Sequence, residues 1–136
     1  MVGNQILESW LMQLMVVDDS VLVRERLAAL LSGIAGVKGV LQAECGEQAL
    51  DLLRVDTACA VQFVVLDIEM PGESGLQLLR RIKASRADVQ IAMFSQHADS
   101  QHRARSLADG ADFFFDKSSD IDRLETTVRQ LAAQSQ

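Results

Sequence analysis

The run Val61-Gln62-Phe63-Val64-Val65-Leu66-Asp67 decides the fold. Residues 63–66 are apolar on consecutive positions, the pattern of a central strand in a parallel sheet covered on both faces. The run ends in a carboxylate that a core strand has no structural need for, and the chain turns at once through Met70-Pro71-Gly72. A second run, Leu14-Met15-Val16-Val17, ends the same way in Asp18-Asp19. Two core strands tipped with acid imply one shared acidic pocket.

Outward from these runs the chain alternates strictly between strand and helix. The pattern predicts strands over 12–17, 38–44, 61–66, 89–94 and 112–116, and helices over 20–34, 47–55, 75–86, 99–109 and 119–133. Val23, Leu27, Leu30 and Ile34 are expected on one face of the first helix, and Ile121, Leu124, Val128 and Leu131 on one face of the last. Ser119-Asp120-Ile121-Asp122 reads as an N-cap followed by acid in the first turn, and Gly110 sits where a C-cap glycine belongs. Helix 99–109 offers only Ala104, Leu107 and Ala108 as an apolar face. So little apolar burial predicts weak docking and the least stable helix.

Alternating β-α units in one domain mean a doubly wound α/β sheet with right-handed crossovers. Ligands of such sheets bind beyond the carboxyl ends of the strands. Asp18, Asp19, Asp67, Ser95 and Lys117 all fall at predicted carboxyl ends.

The bulk numbers narrow the class. At 136 residues, 49% hydrophobic and 24% charged, the chain is one soluble globular domain. No apolar run approaches the ~20 residues of a membrane span. The start lacks the basic region of a signal peptide, so a cytoplasmic location is expected. A net charge of −6 without a basic stripe argues against nucleic-acid binding. Cys45 and Cys59 lack metal-ligand spacing and read as small buried or half-buried thiols. His97 and His102 read as solvent-facing. Residues 12–136 make up the domain, with 1–11 as an N-terminal extension; Ile6, Leu7, Trp10 and Leu11 are spaced for one or two apolar helical turns.

Three carboxylates in one pocket repel, and each resists ionising beside the others. A divalent cation relieves this, and hard Mg²⁺ prefers carboxylate and phosphoryl oxygens. A carboxylate can also act as a nucleophile and form an aspartyl phosphate. A lysine and a hydroxyl then suit the equatorial phosphoryl oxygens. Lys117 and Ser95 are the available pair.

Four pieces carry a family resemblance: Val16-Val17-Asp18-Asp19-Ser20, Val65-Leu66-Asp67-Ile68-Glu69-Met70-Pro71-Gly72, Met93-Phe94-Ser95, and Gly110-Ala111-Asp112-Phe113-Phe114-Phe115-Asp116-Lys117. In this order the chain resembles the receiver domain of bacterial two-component response regulators, over about residues 12–133. The resemblance implies a flavodoxin-like five-stranded parallel sheet in the order 2-1-3-4-5 with five helices. It implies that Asp67 accepts a phosphoryl group from a histidine kinase or histidine phosphotransfer protein. Asp18 and Asp19 would hold Mg²⁺ or Mn²⁺, Asp19 more directly, with Asp67 and the backbone carbonyl of Glu69. Ser95 would be the switch hydroxyl, Phe114 the switch aromatic, and Lys117 the partner of the phosphoryl oxygens. Glu69 and His97 are candidates to flank the site and tune water attack on the phosphoaspartate. Helix 99–109 would shift on phosphorylation.

Two departures stand out. Many receivers place proline after the lysine, whereas Ser118 stands here, so a trans bond is expected. Phe114 cannot add a hydroxyl hydrogen bond. The reading is of a signalling switch rather than an enzyme, with an unknown protein effector as output and no nucleic-acid or membrane contact. It is expected to be a monomer or a phosphorylation-dependent dimer, either free-standing or cut from a longer regulator. Val21 and Leu22 suit a helix-in-groove face for the phosphoryl donor. Two alternatives are an aspartate-nucleophile phosphohydrolase, with Glu69 as its second acid, and a receiver-like binding module that is never phosphorylated.

Overall fold

The computed structural model describes residues 11–55, 61–96 and 98–134. The expectations for residues 1–10, Cys59 and His97 lie outside the described residues. Within them the alternation is complete: β1 (Met12–Val17), α1 (Val21–Ser32), β2 (Val37–Ala43), α2 (Gly46–Val55), β3 (Val61–Asp67), α3 (Gly75–Ser85), β4 (Gln90–Ser95), α4 (Ser100–Ala108), β5 (Phe113–Asp116) and α5 (Ile121–Gln134). Every strand pairs in parallel, in the order β2-β1-β3-β4-β5. This is the flavodoxin-like, doubly wound sheet. Its winding reverses between β1 and β3, so the carboxyl ends of these two strands face the crevice where such folds bind ligands.

Helices cover both faces, which is why the central strands are apolar throughout. Leu14, Val16, Phe63 and Val65 point toward α1 and α5, where Leu27, Leu31, Leu124 and Val128 meet them. Met15, Val64, Leu66 and Met93 point the other way, onto Ala49 and Leu53 of α2 and Leu78, Leu79 and Ile82 of α3. Each large side chain so buried contributes roughly 1.5–3 kcal/mol.

Two of the expected helix faces shift by a residue. In α1 the buried pair is Leu27 and Leu31, with Leu30 half-buried, because the helix ends at Ser32 and Ile34 enters the core from the following turn. In α5, Ala132 is buried and Leu131 half-buried.

The expectation for α4 fails more fully. Ala104, Leu107 and Ala108 all face solvent, and the one buried residue of the helix is Ser106. Polar ties at both ends set this rotation. Asp99 caps the helix by accepting from the His102 N–H at 2.8 Å, and Arg80 of α3 reaches Asp109 at 2.8 Å. These ties turn the face carrying His102, Ser106 and Asp109 inward at i, i+4, i+7, with the apolar residues opposite. His102 is accordingly part of the cap, its Nδ1 lying 2.9 Å from Asp99, rather than fully solvent-facing.

Candidate functional site

The strand register assembles the site. Val17 of β1 lies beside Leu66 of β3, so the next residues, Asp18 and Asp67, emerge level with each other. Asp67 lies beside Phe94, and Ser95 beside Asp116, which puts Ser95 and Lys117 on the same carboxyl edge.

Local hydrogen bonds fix each group. Asp18 is buried. Its Oδ1 accepts from the Ser20 N–H at 2.9 Å and its Oδ2 from Lys117 at 2.8 Å. Ser20 in turn caps α1, accepting from the Val23 N–H. The Asp67 carboxylate is 5% exposed. Its Oδ1 accepts from the Glu69 N–H at 3.2 Å and lies 3.2 Å from Lys117 Nζ.

Beyond Asp67 the loop returns so closely that the Gly75 N–H donates to the Ile68 carbonyl at 2.7 Å. A Cβ at position 75 would strike the Asp67 carbonyl and lie 2.6 Å from Ile68 Cα. Only glycine fits there. The lysine loop is latched in the same manner. Lys117 N–H donates to the Ser95 carbonyl, Asp116 N–H to the Asp120 carboxylate, and Ser118 donates to Asp116 through both its N–H and its hydroxyl. All peptide bonds among the described residues are trans, Lys117–Ser118 included.

Charge follows from burial. Desolvation first, and the Asp18 charge second, push the Asp67 carboxyl up to about 6, against the opposing pull of Lys117 and the Glu69 N–H. Burial alone would lower Lys117. The hydrogen bond to Asp18 and the charges of Asp67 and Asp18 outweigh it, and the ammonium is held above its ordinary range. Asp18, Asp19 and Asp67 each offer an oxygen within 4.8 Å of the others. This donor set contains only carboxylates, with no thiolate or imidazole, and it fits a hard divalent cation such as Mg²⁺. A cavity of about 790 Å³ between α2 and α3 is lined by none of these groups.

The family model described as the response regulator receiver domain matches residues 14–129. The chain belongs to this family. The receiver domain is 33% identical over 121 residues to the response regulator UvrY of Escherichia coli, covering 89% of this chain and 54% of that protein. It is 29% identical to the response regulator GacA of Pseudomonas aeruginosa, covering 90% and 56%. It therefore spans about half the length of these curated relatives. Among solved structures, a LuxR-family two-component response regulator from Aurantimonas superposes with a TM-score of 0.80 at 28% identity, covering 91% of this chain and 86% of that one. No helix among the described residues of the receiver domain is long and apolar enough to cross a membrane.

Of the residues singled out from the sequence, the receiver domain brings Asp18, Asp19, Asp67 and Lys117 into one pocket, with Asp19 exposed at its mouth. Ser95 stands fully buried at the same edge, and Phe114 is 3% exposed on β5. Glu69 is exposed, and its backbone N–H is turned onto Asp67.

Sequence reasoning missed the contributions of five residues. Arg24 donates to the Asp18 backbone carbonyl at 2.7 Å; the signal was an arginine one helical turn after the Ser20 cap. Gly75 permits the close return of the loop, and Ser118 with Asp120 latches the lysine loop. Arg103 of α4 lies over the Phe114 ring, 5.0 Å from its centroid. No local pattern announces that contact, because it joins a helix to a strand.

Proposed function

We propose that this receiver domain is a phosphoryl-accepting switch in a two-component phosphorelay. In the reaction, a carboxylate oxygen of Asp67 attacks the phosphorus of a phosphohistidine on a kinase or phosphotransfer protein. The phosphorus–nitrogen bond breaks, and its electron pair stays on the imidazole. The observation that carries this reading is Asp67 itself. It is buried, raised to about 6, and set between Asp18 and Lys117, so it gains from acquiring any partner that relieves the charge strain.

Asp18, Asp19 and Asp67, with the Glu69 backbone carbonyl, would hold Mg²⁺, or Mn²⁺ in its place. Both oxygens of Asp18 are already engaged, which supports Asp19 as the more direct ligand. When bound, the cation supplies charge neutralisation at the phosphoryl oxygens. Lys117 exchanges its pairing with Asp67 for the phosphoryl oxygens, and Ser95 donates its hydroxyl to them. Phe114 follows Ser95 and carries the change to the α4-β5-α5 surface, where a protein effector reads it. Glu69 stands exposed where it can influence water attack on the phosphoaspartate, and His97 is assigned the same role. Val21 and Leu22, 55% and 72% exposed beside the acidic pocket, form the docking face for the phosphoryl donor. The switch works in the cytoplasm.

The test is loading with beryllofluoride or acetyl phosphate in Mg²⁺, comparing wild type with Asp67→Asn. Loading of wild type alone supports the reading. Equal loading of both proteins, or of neither, overturns it.

A further inference from the structure

Of the arginines around α4, Arg103 and its helix neighbour Arg105 form no ion pair among the described residues, and of these two only Arg103 lies against a ring. Arg80, Arg81, Arg86, Arg123 and Arg129 each meet a carboxylate within 4.0 Å, whereas Arg103 has none among the described residues. Its one directed contact is the face of Phe114, 5.0 Å from guanidinium carbon to ring centroid. The ring needs such a cover. Phe114 is 3% exposed, yet α4 packs no large apolar side chain over it: Leu107 is 47% exposed, and the only buried residue of the helix is Ser106. The methylene stem and flat guanidinium of Arg103 supply the apolar lid, and the charge adds attraction to the ring face.

We propose that Arg103 is a positioning residue that clasps Phe114 in its inward orientation and ties the ring to the placement of α4. This rests on the reading of Phe114 as the switch aromatic. The clasp biases the unphosphorylated ring toward the inward orientation that loading of Asp67 completes, and removing the guanidinium loosens both ring and helix. Losing an exposed cation–π contact should lower the inward-to-outward ratio roughly two- to fivefold.

Fluorine NMR of the full chain labelled with 4-fluorophenylalanine tests this, with the Phe114 resonance assigned by Phe114→Leu. In wild type the resonance should show little H₂O/D₂O solvent shift. In Arg103→Ala a solvent-sensitive population should appear, Arg103→Lys should recover part of the inward population, and the other phenylalanine resonances should stay in place as a check on folding. Mg²⁺ with beryllofluoride should return the ring inward in Arg103→Ala. A Phe114 resonance identical in wild type and Arg103→Ala overturns the clasp. The bound beryllofluoride gives its own fluorine signal. Its absence in wild type would overturn the Asp67 reading instead, and the unloaded spectra would still decide the clasp.

Discussion

Asp67→Asn should stabilise the metal-free domain at neutral pH. Burial and the neighbouring Asp18 hold the folded-state carboxyl at about 6, against 3.8 for an unburied one. A carboxyl raised in this way stabilises the fold while protonated, fully below about 3.8, and that contribution is lost as pH rises through about 6. At 1.36 kcal/mol per pKa unit, the ionised Asp67 costs roughly 3 kcal/mol above that window. Asparagine keeps the shape and removes the charge. Part of the gain is offset because Lys117 loses one of its two partners, although Asp18 remains at 2.8 Å. A net gain of roughly 2–3 kcal/mol corresponds to a rise in Tm of about 7–10 °C for a domain of this size. The assay is thermal unfolding by circular dichroism in EDTA, at pH 7.5 and again at pH 4. At pH 4 the folded wild-type group is already protonated, so the gap between the two proteins should nearly close. Mg²⁺ should stabilise wild type by RT ln(1 + [Mg²⁺]/Kd) and the variant less. A variant that melts no higher than wild type at pH 7.5, or a gap that persists at pH 4, would refute the reasoning.

Three further outcomes are expected. Gly75→Ala should cost roughly 3 kcal/mol or more, because its Cβ meets fixed backbone at Asp67 and Ile68; Gly46→Ala should stay within about 1 kcal/mol, since its Cβ presses on the far end of the Glu73 side chain and otherwise lies 3.4 Å from Leu78 Cδ1, an ordinary contact. Urea titrations of the two variants check the contrast, and equal losses would contradict it. Ser106→Ala should stabilise the protein by about 1 kcal/mol, because the buried Ser106 hydroxyl lacks a hydrogen-bond partner. Hydrogen exchange should then show α4 slowing toward, but not reaching, the protection of α1. Leu22→Glu should slow phosphotransfer from a phosphorylated histidine protein severalfold while acetyl phosphate still loads Asp67 at the wild-type rate; a loss in both assays would place Leu22 in folding rather than docking.

Much of the fold was legible because burial on both faces leaves an unmistakable mark. Residues 63–66 could be little else than a central strand, and the alternation around them leaves one architecture. The acids at 18, 19 and 67 were legible because a strand end has no packing reason to carry them. What stayed hidden depends on rotation and on distant partners. The inward face of α4 is set by Asp99 and by the reach of Arg80 to Asp109, so the apolar residues of that helix pointed to the wrong side. Leu30 and Leu31 are equally apolar, and only the point where α1 ends selects between them. Arg103 and Gly75 act across elements, where spacing along the chain carries no trace of the contact.

The ion pair between Lys117 and Asp18 joins residues 99 positions apart. A chain emerging from the ribosome through β4 already carries all three carboxylates and the serine, but not the ammonium that offsets them. Until β5 docks, the acids face one another without the Lys117 counter-charge. The edge strand β5 therefore both closes the sheet and delivers the ammonium that completes the pocket.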